Sequence, residues 1–568
     1  MASEQKLSAN ERIKAESRLL RGSIAEGLGR VETGALADDD TQLTKFHGFY
    51  QQDDRDLRAE RGKQRMEKAF SFMVRMRIPA GTVSPAQWLA IEQLALQRGN
   101  GSIRLTTRQT VQLHGVLKGN LRSLMQGLHD VSLDTIAACG DVNRNVIASA
   151  DPWRRALHGE ISSLAVRLSE HLLPRSRAWH EIWLGEEQVA GEAVEDEPIL
   201  GRTYLPRKFK IAIALPPHNE VDVFAHDLGF IAIVEGGAIA GYNVVVGGGM
   251  GMTHGETETY PRTGDVIGFC WAGDAIEVAE KVVTVQRDHG DRFNRKHARL
   301  KYTIDAMGLD RFVGLLRERL AVGLEPARDY AFTSTGDRLR WVEEADGSAH
   351  FTLFVENGRI RGGMLEGLHA IAELGVGRFV ITANQNLILA EIPASARREV
   401  QAVLAGHGLD RSAAGLRRNA MACVALPTCG LALAESERYL PDLVGRLEVE
   451  LERFGLGDDE ITMRMTGCPN GCARPYVSEI GLVGRTPGIY NLYLGGAFEG
   501  VRLNKLYRRD VDGDAIVAAL SPLFERYAAA RGRDERFGDY LIRAGIVAET
   551  TAGLNFHENL SADVGSQI

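Results

Sequence analysis

The chain has 568 residues, room for about two to four domains with sizeable cores, and an ordinary globular composition apart from a high glycine count of 62. Its net charge of −8 excludes a general nucleic-acid binder. No run of about 18 apolar residues is present, which excludes a membrane-spanning helix. The first 30 residues are charged, without the apolar stretch of a secretory signal. With only six cysteines as well, a reducing cytoplasm is expected.

Residues 1–65 are polar, helix-prone from Glu11 to Leu28, then aromatic and acidic from Phe49 to Arg61. They read as a wrapping arm suited to docking a partner. Phe72 to Ile78 alternates as a strand, with Val74, Met76 and Ile78 on one face and Arg75 and Arg77 on the other. A helix is predicted from Pro85 to Arg98. Ser102 to His114 then reads as a strand with Ser102, Arg104, Thr106, Arg108, Thr110, Gln112 and His114 on one face. That face contains no Asp or Glu, so its guanidinium and hydroxyl groups suit a ligand rich in carboxylates; a solvated sheet face is the plain alternative.

Cys139 to Asn145 is a polar turn from which Arg144 can reach a site. Tyr204 to Ile213 is predicted to be a second alternating strand, placing Lys208 and Lys210 on one face and Phe209 and Ile211 in the core. Such paired ammonium groups call for an anion between them, although lysines also line solvated strands. The strand Val244–Val246 enters a glycine loop, Gly247 to Gly251. His254 stands where a nucleotide loop needs a third glycine, so close backbone approach to a cofactor is the better reading. A helix near Asp274 to Asp288 precedes the basic cluster Arg292, Arg295, Lys296, Arg299 and Lys301, read as a solvated face that can partly meet cofactor carboxylates.

The second half echoes the first. Gly377 to Leu387 parallels Gly101 to Val111, and Tyr490 to Gly496 parallels Tyr242 to Gly248, which predicts an internal duplication with a cofactor at its junction. A closing helix is predicted from Ile516 to Arg531. Four of the six cysteines form two pairs, Cys423 with Cys429 and Cys468 with Cys472, separated by 38 residues. The five-residue gap within the first pair is wider than a zinc knuckle and favours an iron–sulfur cluster, with zinc and structural thiols or disulfides as alternatives. Cys139 and Cys270 stand alone and read as small buried hydrophobes.

The stretch Thr466-Gly467-Cys468-Pro469-Asn470-Gly471-Cys472, with Cys423 and Cys429, resembles the siroheme and 4Fe–4S signature of the sulfite and nitrite reductase family. Within it, His47 to Asp56, Tyr204 to Lys210 and Met421 to Cys423 resemble the hemoprotein (beta) components of assimilatory NADPH-dependent sulfite reductases. The resemblance runs over nearly the whole chain. It implies an α+β (mixed α/β), pseudo-two-fold body: an arm at 1–65, ferredoxin-like half-domains at 66–136 and 335–410, a siroheme-binding domain at 137–334, and a 4Fe–4S and siroheme domain at 411–568.

It also implies six-electron reduction of sulfite to sulfide in sulfate assimilation and cysteine biosynthesis. All four cysteines would ligate the cluster, with Cys472 also axial to the siroheme iron. Arg75, Arg144, Lys208 and Lys210 would serve the anion; Arg104, Thr106, Arg108, Gln112, His114, Arg299 and Asn470 would meet siroheme. No nicotinamide or flavin site is legible, so NADPH, FAD and FMN would act only through a partner flavoprotein (alpha) subunit in a hetero-oligomer. A ferredoxin-dependent sulfite or nitrite reductase is the nearest alternative; a non-catalytic zinc-stabilised binding protein is one of another class.

Overall fold

The computed structural model describes residues 6–150, 155–183, 197–558 and 560. Its frame is four five-stranded sheets arranged as two matched pairs. In the first sheet, Phe49–Asp53, Phe70–Arg75, Val111–Val116, Ile103–Leu105 and Arg359–Ile360 lie side by side. Its counterpart orders Arg340–Glu343, Ala349–Leu353, Leu387–Ile392, Arg378–Ile381 and Thr82–Val83.

The edge strands are exchanged. Arg359 pairs with Arg104 in the first sheet, and Val83 pairs with Phe379 in the second. Each half thus completes the other's sheet, which pins the duplicated units together through backbone hydrogen bonds. The helix Pro85–Arg98 adds a packed contact to the same seam. It starts at a Ser84/Gln87 capping box with proline at its first position. It buries Trp88, whose ring stacks on Phe379 of the other half at 4.7 Å.

The second pair of sheets shares one topology. Ile147–Ala148, Ile211–Ala214 and Leu228–Glu235 run parallel, followed by antiparallel Ala238–Val246 and Asp265–Trp271. Ala420–Ala422, Met463–Thr466 and Ile480–Thr486 repeat the parallel set, followed by Ile489–Leu494 and Lys505–Val511. One continuous apolar core reaches from Ile13 to Leu409, and a second fills the cysteine-bearing half from Leu416 to Val547.

Several elements differ from the sequence reading. Ser102 to His114 is a hairpin, Ile103–Leu105 and Val111–Val116 around a turn whose Gln109 has φ 49°. Only Ile211–Ala214 of the stretch beginning at Tyr204 is strand, because Tyr204 itself has φ 55°. The helix expected from Glu11 to Leu28 breaks into Ala9–Glu16 and Ile24–Gly29, with Arg18, Leu19 and Leu20 at positive φ between them. Among the described residues no helix is long and apolar enough to cross a membrane.

Candidate active site

The C-terminal ends of adjacent parallel strands gather the cysteines. Ala420–Ala422 delivers Cys423, and Met463–Thr466 delivers Cys468 and Cys472 through Gly467. Gly467 has no room for a side chain: a Cβ there would lie 2.5 Å from both Ala425 Cβ and the Ala434 carbonyl. Backbone and amide donors face the sulfurs, with Gly467 N–H 3.4 Å from Cys423 Sγ and Asn470 Nδ2 3.4 Å from Cys468 Sγ.

Burial, and then the neighbouring Cys472, Cys468 and Cys429 thiols, push Cys423 far above an ordinary thiol; burial and Cys472 take Cys468 up to about 12. The four thiols therefore share one neighbourhood. Four clustered thiols with a five-residue gap within the first pair fit an iron–sulfur cluster better than one zinc.

Cys472 alone of the four lines a cavity whose wall also carries Arg108, Lys208, Lys210, His226, Arg299, Asn470 and Arg474. The hairpin turn supplies Arg108. Thr106 N–H donates to the Thr110 carbonyl at 3.0 Å, and Thr106 Oγ1 accepts from Arg108 N–H at 3.2 Å. The Gln109 carboxamide locks the turn by exchanging bonds of 2.7 and 2.8 Å with Ala148. Arg108 is buried and donates to the Asn145 and Ile211 carbonyls, but its Nε and Nη1 have no partner. Burial, then Arg144, lowers it to about 9.

Buried Phe209 anchors the lysine pair. Its N–H donates to the Val142 carbonyl at 2.9 Å, and its carbonyl accepts from Arg144 N–H at 3.0 Å. The alternation of Lys208 and Lys210 therefore survives outside the strand, and both reach the cavity. No hydrogen bond or ion pair among the described residues neutralises either ammonium. Burial depresses both pKa values well below the usual lysine range. The next causes are Arg144 for Lys208 and Lys208 itself for Lys210.

The glycine loop closes one wall by close approach, as a backbone cradle. Met252 N–H donates to the Pro469 carbonyl at 2.8 Å, and Lys301 staples the loop through the Gly249 and Gly251 carbonyls. Much of the basic cluster is spent on internal pairing: Arg292 on Glu11, Arg295 on Asp141, Lys296 on Glu256 and Arg299 bidentately on Asp227.

The remaining expected site residues are not on the wall of this cavity. Arg104 and Gln112 face each other across the hairpin, but the Arg104 guanidinium turns to Glu437 and the Ala422 carbonyl, beside the cysteine loop. His114 is buried with both ring nitrogens unpartnered. Arg75 Nη1 lies 3.1 Å from Cys139 Sγ, and the Gln112 amide can accept from Arg75 Nε at 3.0 Å. Arg144 donates from Nε and Nη2 to the Gly140 carbonyl at 3.2 Å. Arg474 and His226, both on the cavity wall, escaped the sequence reading. Arg474 sits two residues beyond Cys472, a proximity that was available as a signal.

An excess of buried cations opposite a thiol cluster is a site for a polyanionic, metal-bearing ligand. The comparisons with known proteins agree. The model described as the nitrite and sulphite reductase 4Fe-4S domain matches residues 165–324, and that of the nitrite/sulfite reductase ferredoxin-like half domain matches 64–131 and 342–407. The sulfite reductase [NADPH] hemoprotein beta-component of Methylobacterium nodulans is 57% identical over 98% of this chain and 94% of its own. This chain belongs to the nitrite and sulfite reductase family.

Another family member, the sulfite reductase [NADPH] hemoprotein beta-component of Chromohalobacter salexigens, is 54% identical over 97% of both chains. The Mycobacterium tuberculosis NirA structure shares the fold, with a TM-score of 0.73 at 24% identity over 96% of this chain and 98% of that one. The two matches to the half-domain model fall on the two sheets with exchanged edges. The match to the 4Fe-4S domain model falls on the half without the cysteines, whose sheet the cysteine-bearing half repeats.

Proposed function

We propose that this chain is the hemoprotein component of an NADPH-dependent sulfite reductase and carries out the six-electron reduction of sulfite to sulfide. The observation that carries the reading is Cys472. It is the one thiol of the quartet that lines the cavity whose wall also carries Lys208, Lys210 and Arg108, the last with its Nε and Nη1 unpartnered. Cys423, Cys429, Cys468 and Cys472 would hold the 4Fe–4S cluster, with Cys472 the one of the four placed on the side where siroheme would lie. Arg108 offers its free N–H groups to siroheme carboxylates, assisted by Arg104, Thr106, Gln112, His114, Arg299 and Asn470. When bound, these cofactors supply the electrons and the metal position at which sulfur is reduced.

The protein's own contribution is electrostatic and protic. Arg75 and Arg144 present positive charge to the anion as it enters, and Lys208 and Lys210 gain theirs by taking up protons as it binds. Their preorganisation in a buried wall makes that attraction stronger than in water. Lysines with depressed pKa release protons readily, so Lys208 Nζ and Lys210 Nζ protonate the sulfite oxygens as these leave as water.

The relatives' names specify NADPH and a beta-component, which supports a hetero-oligomer with a flavoprotein alpha subunit. NADPH, FAD and FMN then act through that partner, in a reducing cytoplasm. Purified cofactor-loaded chain should form sulfide from sulfite when given the flavoprotein and NADPH. Equal or better turnover with reduced ferredoxin alone would shift the donor assignment, and a higher kcat/KM for nitrite would shift the substrate. A colourless zinc protein would end the reading.

A further inference from the structure

The first sheet and its exchanged edge strand set two cations face to face. Arg104 of Ile103–Leu105 and Arg359 of Arg359–Ile360 are direct partners in the antiparallel ladder. Like charges directly opposite on one face of a sheet repel. Arg359 comes from the second half of the chain, so the repulsion falls on the seam where the halves complete each other's sheets. Glu437, which belongs to neither strand, lies between the two.

The Glu437 carboxylate accepts from Arg359 Nε at 2.6 Å and Nη2 at 3.0 Å, and also from Arg104 Nη1. Arg104 is buried and spends two further N–H groups on the carbonyls of Leu105, at 3.2 Å, and Ala422, at 2.8 Å. Arginine carries five N–H groups, which leaves room for the siroheme role given to Arg104 above. Arg359 Nη1 donates to Ser102 Oγ at 3.0 Å. A bidentate guanidinium and a second cation on one largely buried carboxylate make a charge-assisted network with a defined geometry.

The backbone of the same glutamate reaches the thiol loops. Glu437 N–H donates to the Cys423 carbonyl at 3.1 Å, and its own carbonyl accepts from Asn357 Nδ2 at 3.1 Å. Residues 433–437 run between the two cysteine loops and end at Glu437. Leu433 and Ala434 N–H both donate to the Gly467 carbonyl, at 2.7 and 3.1 Å, and Ser436 Oγ donates to the Met465 carbonyl at 2.8 Å. Cys423 N–H donates to that same Met465 carbonyl at 3.2 Å. The two loops are thus registered on one short segment, and Glu437 bolts that segment to the arginines of the first sheet. Arg104 adds a second tie through Ala422, the residue before Cys423.

We propose that Glu437 is a positioning residue for the metal cluster: clamped by Arg104 and Arg359, it fixes the segment that sets the separation of the two cysteine pairs. The exchanged edge strand thereby helps to retain the cluster. This rests on the reading of the four thiols as 4Fe–4S ligands. Thiols held at a fixed separation lose iron only when the loops open locally, and freeing Glu437 lowers the cost of that opening. Its bonds go to arginines and backbone, so its effect falls on how fast iron leaves.

The test uses the cofactor-loaded protein and follows iron release to an excess of a ferrous chelator, beside far-ultraviolet circular dichroism, well below the melting midpoint. Glu437→Gln keeps the side-chain shape and removes the charge; Arg359→Ala removes the bidentate partner from outside the cysteine-bearing half. Each should speed iron release about tenfold, the scale of a freed charge-assisted hydrogen bond, with the dichroism unchanged while iron leaves. The double variant should be no worse than the poorer single, because both break one clamp. Arg359→Lys, which keeps the charge but not the fork, should recover part of the loss.

Iron release at the parent's rate in both Glu437→Gln and Arg359→Ala would overturn the proposal. So would release that keeps step with loss of dichroism, since the clamp would then support the fold alone. A parent protein without iron and labile sulfide would bring down the cluster reading, and the proposal with it.

Discussion

Asp222 and Arg474 occupy the same place in the two halves of the duplicated body and are ion-paired with each other across the junction. Both adopt left-handed backbone, φ 49° and 55°, and each opens an equivalent short 3-10 turn, Val223–Ala225 and Pro475–Val477. Asp222 also accepts from Arg464 at 2.6 Å. Arg474 donates onward to the carbonyls of Thr107 and Ala383, the matching positions of the two hairpin turns, at 3.0 and 3.1 Å. One buried pair thus ties both halves together two residues from Cys472.

Replacing Asp222 by Asn should leave Arg464 and Arg474 buried with no full counter-charge. The expected loss is about 3–5 kcal/mol of stability. A fall in the thermal or urea midpoint checks it, and iron content should drop in parallel because the Cys468–Cys472 loop is anchored there. An unchanged midpoint would show the pair to be dispensable.

Gly467→Ala should be poorly tolerated for a purely steric reason. The added methyl meets Ala425 and the Ala434 carbonyl at 2.5 Å, and one of these is fixed backbone. Overpacking of this kind costs about 1–3 kcal/mol. It should separate the two cysteine loops, which acid-labile sulfide analysis reads directly as substoichiometric cluster.

Lys210→Ala should lower sulfite turnover by about 100-fold or more, the scale of a lost proton donor, while siroheme and iron stay near parent levels. Equal loss of activity and cofactor would mean that the lysine supports siroheme instead.

The depressed pKa of Lys208 and Lys210 has a pH signature with a definite sign. In the empty site burial and neighbouring cations favour the neutral amines. A bound anion opposes both effects and raises the pKa values, so binding takes up protons in the window between depressed and restored values. Affinity for nitrite, which stays anionic throughout, should therefore fall as pH rises through that window. Calorimetry in buffers of different ionisation enthalpy should register proton uptake; proton release would contradict the picture.

Legibility from sequence depended on whether the chemistry was local. The cysteine spacing and the period-two placement of Lys208 and Lys210 were readable because each needs only a few residues of backbone. The hairpin at 102–114 was not: Thr106 to Thr110 contains no Gly, Pro or Asn, and its polar residues continue the alternation across the turn. The positive φ of Gln109 is held instead by Ala148, 39 residues away. The strand exchange between halves and the Asp222–Arg474 pair both rest on partners distant in sequence. Arg104 shows the converse, since its place on the polar face of the strand was legible while Glu437, which claims its guanidinium, lay hundreds of positions away.

The most direct measurement is the visible spectrum and sulfite turnover of Cys472→Ser, prepared with siroheme and iron supplied. If one sulfur serves both the inorganic cluster and the tetrapyrrole metal, cluster and siroheme absorbance should be lost together and sulfide production should vanish. Full turnover with both chromophores in place would contradict the account at its centre.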